Sequence, residues 1–226
     1  RRVGAGGIVT ASHTTDDLLA AGERAVARAL EALALDIREP GTGGHPGSAV
    51  HIDEMIRGAD GVGWTWEDSY THNGQYQWCG AFVAWCWGLS LPLAMRRAFF
   101  PSTYRLERWS TYRPLEHAPN HEPAPGAFRR LRLVLDDGST AGDLLPHVPR
   151  AGDILLLGTG RPTSYGSHVA LVERWDGRRL HTVEGNATGF RGAKRVEGVV
   201  RQTRSIGGQY HVRRLLRPAT TDLLEE

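Results

Sequence analysis

The 226 residues include two cysteines, Cys79 and Cys86, seven positions apart in one apolar run. On a helix that spacing separates them by roughly 10 Å, beyond disulfide reach, so both are expected as free thiols. A thiol acts as a nucleophile in its thiolate form, which calls for a stabilised negative charge and a base beside it. Cys79 meets the first condition by position. It opens the run 79–89 directly after the polar loop Thr71-His72-Asn73-Gly74-Gln75, and a helix N-terminus favours an anion through its unpaired N–H groups and dipole. The same N–H groups, that of Cys79 included, suit the oxyanion that forms when an acyl group is attacked. Cys86 lies deeper in the run, without that field, and reads as packing.

The matching base is His168, which opens an apolar strand after Gly166 and Ser167. The following strand closes on Val183-Glu184-Gly185-Asn186. Alternation puts Thr182, Glu184 and Asn186 on one face of it. Either Glu184 or Asn186 can orient the imidazole by accepting its second N–H, the third role of a catalytic triad. The chain order of thiol, imidazole and polar orienter matches papain-like enzymes. Each residue also has an ordinary reading. A cysteine in an apolar helix is usually buried and inert, a lone strand-start histidine usually a surface residue, and a glutamate or asparagine at a strand end often a turn residue. Their combination is what singles them out.

These side chains need elements to carry them. Residues 14–37 are predicted as a helix, capped by Thr14 or Thr15, with Asp16 and Asp17 at its positive end and Ala25, Val26, Ala29, Leu30 and Leu33 on one face. Pro40, Gly41, Gly43 and Gly44 stop it. A short helix is expected around 52–56, and the 79–89 helix carries Phe82, Val83, Cys86 and Trp87 on a buried face, with Gly88 ending the pattern. Strands follow at 153–157, 168–175, 180–183, 196–203 and 210–216, with Asp176-Gly177 as a hairpin turn. Helices first and strands afterwards imply an α+β fold, N-terminal helices packed on an antiparallel sheet of about five strands. Segment 99–149 is punctuated by prolines, and only 129–135 in it resembles a strand. It reads as an insertion carrying function or partner contacts. The expected organisation is a flexible segment 1–13, a catalytic domain 14–218 holding the insertion, and a tail 219–226.

Trp78-Cys79-Gly80-Ala81-Phe82-Val83-Ala84-Trp85 resembles the nucleophile helix of CHAP domains, the cysteine- and histidine-dependent amidohydrolase/peptidases of the NlpC-type papain-like superfamily. Pro149-Arg150-Ala151-Gly152-Asp153-Ile154 is similar to that family's P-x-x-G-D strand, Ser167-His168-Val169-Ala170-Leu171-Val172 to its histidine strand, and Val183-Glu184-Gly185-Asn186 to its E-G-N turn. The closing Arg213-Arg214-Leu215-Leu216-Arg217-Pro218 is similar to its last strand. The resemblance implies a papain-like fold and hydrolysis of amide bonds in peptidoglycan, by an N-acetylmuramoyl-L-alanine amidase or a peptide endopeptidase. It assigns Cys79 as nucleophile, His168 as base, Glu184 as orienter and Asn186 as a supporting member. Gln77 and Trp78 beside the sulfur, with Trp64 and Trp66 in the loop ahead, are the candidates for substrate contact. Two rivals stand beside this reading: a catalytically silent CHAP-like binding module, and a cysteine amidase or peptidase with a non-peptidoglycan substrate.

Composition narrows the partners. A formal net charge of +2 gives no field that demands nucleic acid. No run of about 18 apolar residues suggests a membrane span. No cofactor is expected, and no metal. Asp68, Tyr70 and Asn73 are too sparse for a calcium loop, and Pro119 breaks the helix that would align His117 with His121 and Glu122. The expected substrate is peptidoglycan or a muropeptide, with segment 99–149 as the surface for a delivery or immunity protein. Action is expected at the bacterial cell wall, in the periplasm or outside. Gly4 to His13 lacks the apolar core of a signal peptide, so the chain is expected to be delivered or trimmed.

Overall fold

The computed structural model describes residues 15–40, 47–60, 78–88, 128–134, 140–141, 146–159, 168–205 and 210–218. Helix α1 (Thr15–Ala34) stops three residues short of the expected end. Asp36 adopts a positive φ of 53°, and Ile37 leaves the helix to meet the sheet. There Val199 N–H donates to the Ile37 carbonyl at 2.9 Å and Glu39 N–H to that of Glu197 at 2.9 Å. Ile37 is buried by that strand contact, which is why apolar periodicity carried the expected helix too far. Helix α2 (Ser48–Asp60) is longer than the expected 52–56. Ile52, Met55, Ile56 and Ala59 are all fully buried at helical spacing and form its inner stripe.

Helix α3 (Cys79–Trp87) is apolar all round and buried except for Trp85, as befits a central helix. The Arg28 guanidinium of α1 stacks over the Trp85 ring at 4.4 Å, a cation–π contact on the helix's outer side.

Eight strands follow in the chain: β1 (Phe128–Val134), β2 (Thr140–Ala141), β3 (Pro146–His147), β4 (Ile154–Thr159), β5 (His168–Trp175), β6 (Arg179–Arg191), β7 (Lys194–Ser205) and β8 (Tyr210–Pro218). They pair in the order β2-β1-β8-β4-β5-β6-β7, with β3 alongside β1. The expected five-strand antiparallel run is β8-β4-β5-β6-β7. The strand expected at 129–135 is β1, and it pairs antiparallel with β8 from Phe128↔Pro218 to Leu131↔Leu215. Part of segment 99–149 is thus built into the sheet.

Both faces of β4 are buried, so it reads as the unbroken apolar run Ile154-Leu155-Leu156-Leu157. Ile154 and Leu156 join Val169, Leu171 and Val183 against the helices. Leu155 and Leu157 join Ala170, Val172, Leu180 and Leu215 on the other face. The β5–β6 hairpin turns where expected, its Asp176 Oδ1 accepting the N–H groups of Arg178 (3.0 Å) and Arg179 (2.6 Å). β6 does not end at Glu184-Gly185-Asn186, however. A register shift between Glu184 and Ala187 marks a bulge, and pairing with β7 resumes as far as Arg191↔Lys194. The bulge absorbs the positive φ of Asn186 without terminating the ladder.

The P-x-x-G-D motif locks β4 to its neighbours. Gly152 has φ +87°, and a Cβ on the facing Gly22 of α1 would stand 2.5 Å from the Ala151 carbonyl oxygen, so helix and strand touch backbone to backbone. The Asp153 carboxylate, 2% exposed, accepts Arg217 Nε and Nη2, both at 2.7 Å, and the Arg150 N–H at 2.8 Å. No helix among the described residues is long and apolar enough to cross a membrane.

Removing one partner of a buried ion pair strands the other charge. Arg217→Met is therefore expected to lower unfolding free energy by about 3 kcal/mol, read from urea midpoints at unchanged slope. A variant as stable as the parent would show that Asp153 is not held by this pair.

Candidate active site

Cys79 is the first residue of α3, preceded by Trp78 as the flanking residue, with no side-chain cap. The first closing hydrogen bond runs from Phe82 N–H to the Trp78 carbonyl at 2.9 Å. The N–H groups of Cys79, Gly80 and Ala81 come earlier and have no helical acceptor. They concentrate positive potential where the sulfur sits. The thiol is 1% exposed.

The sheet comes unusually close to this helix start. A Cβ on Gly185 would lie 2.5 Å from Phe82 Cβ and 2.7 Å from Trp78 Cζ3. Glycine at this position lets β6 rest against the first turn of α3, and the residue before it is Glu184.

Pairing of Leu171 with Val183 and of Val172 with Thr182 fixes the β5–β6 register. Extended by one pair, it puts Ala170 opposite Glu184, and His168 then lies diagonal to Glu184 on the same face. Their side chains meet, His168 Nε2 to Glu184 Oε2 at 2.9 Å. A carboxylate only accepts, so Nε2 carries the proton. Nδ1 is left for Cys79, whose sulfur hydrogen-bonds the ring.

Burial alone would lower the basicity of His168. The charge of Cys79, its hydrogen bond, and the hydrogen bond and charge of Glu184 outweigh that and raise the pKa to about 10. Burial would likewise raise Glu184, but hydrogen bonds and charges from His168 and Arg204 hold it down at about 2. A strongly basic ring held between a sulfur and a carboxylate is what a thiol–imidazole pair with an orienting carboxylate requires.

The remaining candidates divide. Asn186 sits in the bulge at positive φ, out of the alternation that would have aligned it with Thr182 and Glu184, and the ring's hydrogen bond goes to Glu184 instead. Trp78 is fully buried, its Nε1–H donating to Glu39 Oε1 at 3.3 Å. It is a core residue rather than a groove wall, because α3 needs an apolar plug where β6 comes closest. Gln77, Trp64 and Trp66 lie outside the described residues, as do His117, His121 and Glu122. Burial pushes the Cys86 thiol far up, in keeping with a packing role. No cluster of His, Cys, Asp and Glu among the described residues is arranged to hold a metal ion.

Two partners of Glu184 were not foreseen. Thr182 Oγ1 donates to Oε1 at 2.6 Å. Arg204 reaches Oε1 through Nε at 2.8 Å and Oε2 through Nη2 at 2.5 Å. Alternation already placed Thr182 beside Glu184. Arg204 stands opposite Leu180 in the β6–β7 ladder, and only the register of that hairpin could have pointed to it.

Two measurements follow from the electrostatics. In Cys79→Ala the burial of His168 remains while the sulfur's contributions vanish, so the ring is expected to titrate at a pH about 1 to 3 lower by NMR. An unchanged titration would mean that the two residues are not paired. Glu184 is depressed in the folded state from 4.5 to about 2. The stability it adds is complete above pH 4.5 and lost as the pH falls toward 2. Denaturant melts should show the parent losing stability relative to Glu184→Gln across that window.

Comparison with known proteins bears on the whole constellation. No curated protein and no solved structure matches the chain. The family model of the CHAP domain does, over residues 70–186. That span covers just over half of the 226 residues and reaches from Tyr70 through Cys79, His168 and Glu184 to the bulge. With Cys79, the histidine strand and Glu184 all inside the match, the protein belongs to the CHAP domain family, a group of peptidoglycan amidase- and peptidase-like hydrolases that act on the cell wall.

Proposed function

We propose that the protein is a cysteine amidohydrolase that cleaves an amide bond of peptidoglycan, at the sugar–peptide junction or within the peptide. The observation that carries the reading is the His168 ring held between the Cys79 sulfur and the Glu184 carboxylate. A module that only binds muropeptide has no use for a thiol in that place.

In this reading Cys79 Sγ attacks the amide carbonyl carbon, and charge collects on the carbonyl oxygen. The free N–H groups at the start of α3 receive that charge. As the C–N bond breaks, His168 gives its Nδ1 proton to the departing amine. The acyl group is left on sulfur as a thioester. Water then attacks the same carbon, His168 takes its proton, and the C–S bond breaks to restore the thiolate and release a carboxylate. Glu184 holds the ring throughout by accepting from Nε2, and Asn186, next to it in the bulge, has a supporting role. Trp64, Trp66 and Gln77 belong to the substrate surface, and segment 99–149 offers a face to a delivery or immunity protein. The site of action is the wall of a bacterium, reached by way of a phage particle or as an injected effector.

Purified sacculi provide the test. Wild-type protein is expected to release soluble fragments, and Cys79→Ala, folded by circular dichroism, to lower the rate by about 10⁴-fold or more. Mass spectrometry of the fragments distinguishes a freed lactyl carboxylate on the glycan from a cut inside the peptide. Iodoacetamide should modify Cys79 before Cys86 at neutral pH. A wild-type protein that binds sacculi without releasing fragments would leave the silent module as the better account.

A further inference from the structure

The carboxylate of Glu184 is fully buried, and four donors fill its lone pairs. Oε1 accepts from Thr182 Oγ1 (2.6 Å) and Arg204 Nε (2.8 Å). Oε2 accepts from Arg204 Nη2 (2.5 Å) and His168 Nε2 (2.9 Å). A guanidinium fork is planar and sets the plane of the carboxylate it grips. With the fork on one edge and the threonine on the outer side of Oε1, the remaining direction is the one aimed at His168. We infer that Arg204 is a positioning residue of the active site, acting through Glu184 to fix the orientation and tautomer of the His168 ring.

Two features separate this role from ordinary packing. The Arg204 side chain is 14% exposed while its partner has no exposure, so the guanidinium lies between the carboxylate and the surface and compensates a charge that water does not reach. Without it, Glu184 has one cationic partner, the histidine itself, and the cost of a buried charge then favours a protonated carboxyl. A protonated carboxyl is free to turn its hydroxyl toward His168, and the ring is no longer obliged to keep its proton on Nε2. The fork therefore keeps Glu184 an acceptor. Lysine would restore the charge but not the plane.

The inference rests on the reading of Cys79 and His168 as the reacting pair, and its test is chosen to stand apart from peptidoglycan hydrolysis. The first readout is the rate of Cys79 alkylation by iodoacetamide against pH, with His168 followed by NMR, in wild type, Arg204→Met and Arg204→Lys. The acid limb of the alkylation profile is expected to move to higher pH in Arg204→Met, with Arg204→Lys in between. The second is hydrolysis of sacculi, in which Arg204→Met should lower kcat by about 10- to 100-fold with KM little changed. The third is the same substitution in a Glu184→Gln background. A residue that acts through Glu184 adds little loss once Glu184 is gone. Unshifted pH limbs, or an undiminished Arg204→Met loss in the Glu184→Gln background, would overturn the inference. Failure of wild type to cut sacculi would count against the proposed substrate, while the alkylation and NMR readouts would still decide the role of Arg204.

Discussion

An ionised carboxylate with no access to water has to be neutralised where it stands, and much of the site follows from that one constraint. Glu184 sits on β6, one strand in from the β7 edge of the sheet, with zero exposure. An arginine, a threonine and a histidine must converge on it from β7, β6 and β5. That convergence fixes the ring, and the ring faces the start of α3. The carboxylate that accepts from the ring is thus also a structural obligation of the sheet, and the cluster cannot be loosened without leaving an unpaired charge in the interior.

Positioning comes down to two close approaches made by glycine. Gly185 brings β6 onto the first turn of α3, where any side chain would strike Phe82 or Trp78. Gly22 and Gly152 bring α1 onto the turn that leads into β4. Between them the helical layer is set on the sheet at two points, one at the start of α3 and one on α1. Asp153 and Arg217 then tie that turn to β8. Residues that look like family signatures in the sequence thus have separate physical tasks: one glycine for contact, one for a left-handed turn, one aspartate for an ion pair.

What was legible in the sequence was what depends on local pattern. The helix beginning at Cys79, the histidine at the head of an apolar strand, the hairpin at Asp176-Gly177 and the five-strand run are all set by spacing within a few residues. What escaped depends on register between distant segments. Arg204 lies twenty positions beyond Glu184 and on the far side of a bulge that shifts the count. Ile37 is apolar for a strand contact, not a helix face, so α1 was read too long. Glu184-Gly185-Asn186 has turn composition, yet the ladder passes through it, because a bulge and a turn make the same demand on a single residue at positive φ. Trp78 beside a cysteine at a helix start suggested a binding wall, whereas the proximity of β6 makes it a plug.

The strand order carries a consequence for how the molecule is made. β8 is the last strand among the described residues, yet it lies inside the sheet, between β1 and β4. Strand β1 can pair early with β2 and β3, but it meets β8 only after more than eighty further residues have been synthesised, from Phe128 to Pro218. Such high contact order slows folding and delays closure of the sheet until β8 has been made. The sheet that carries the histidine and the glutamate is therefore completed late, only once β8 has been made.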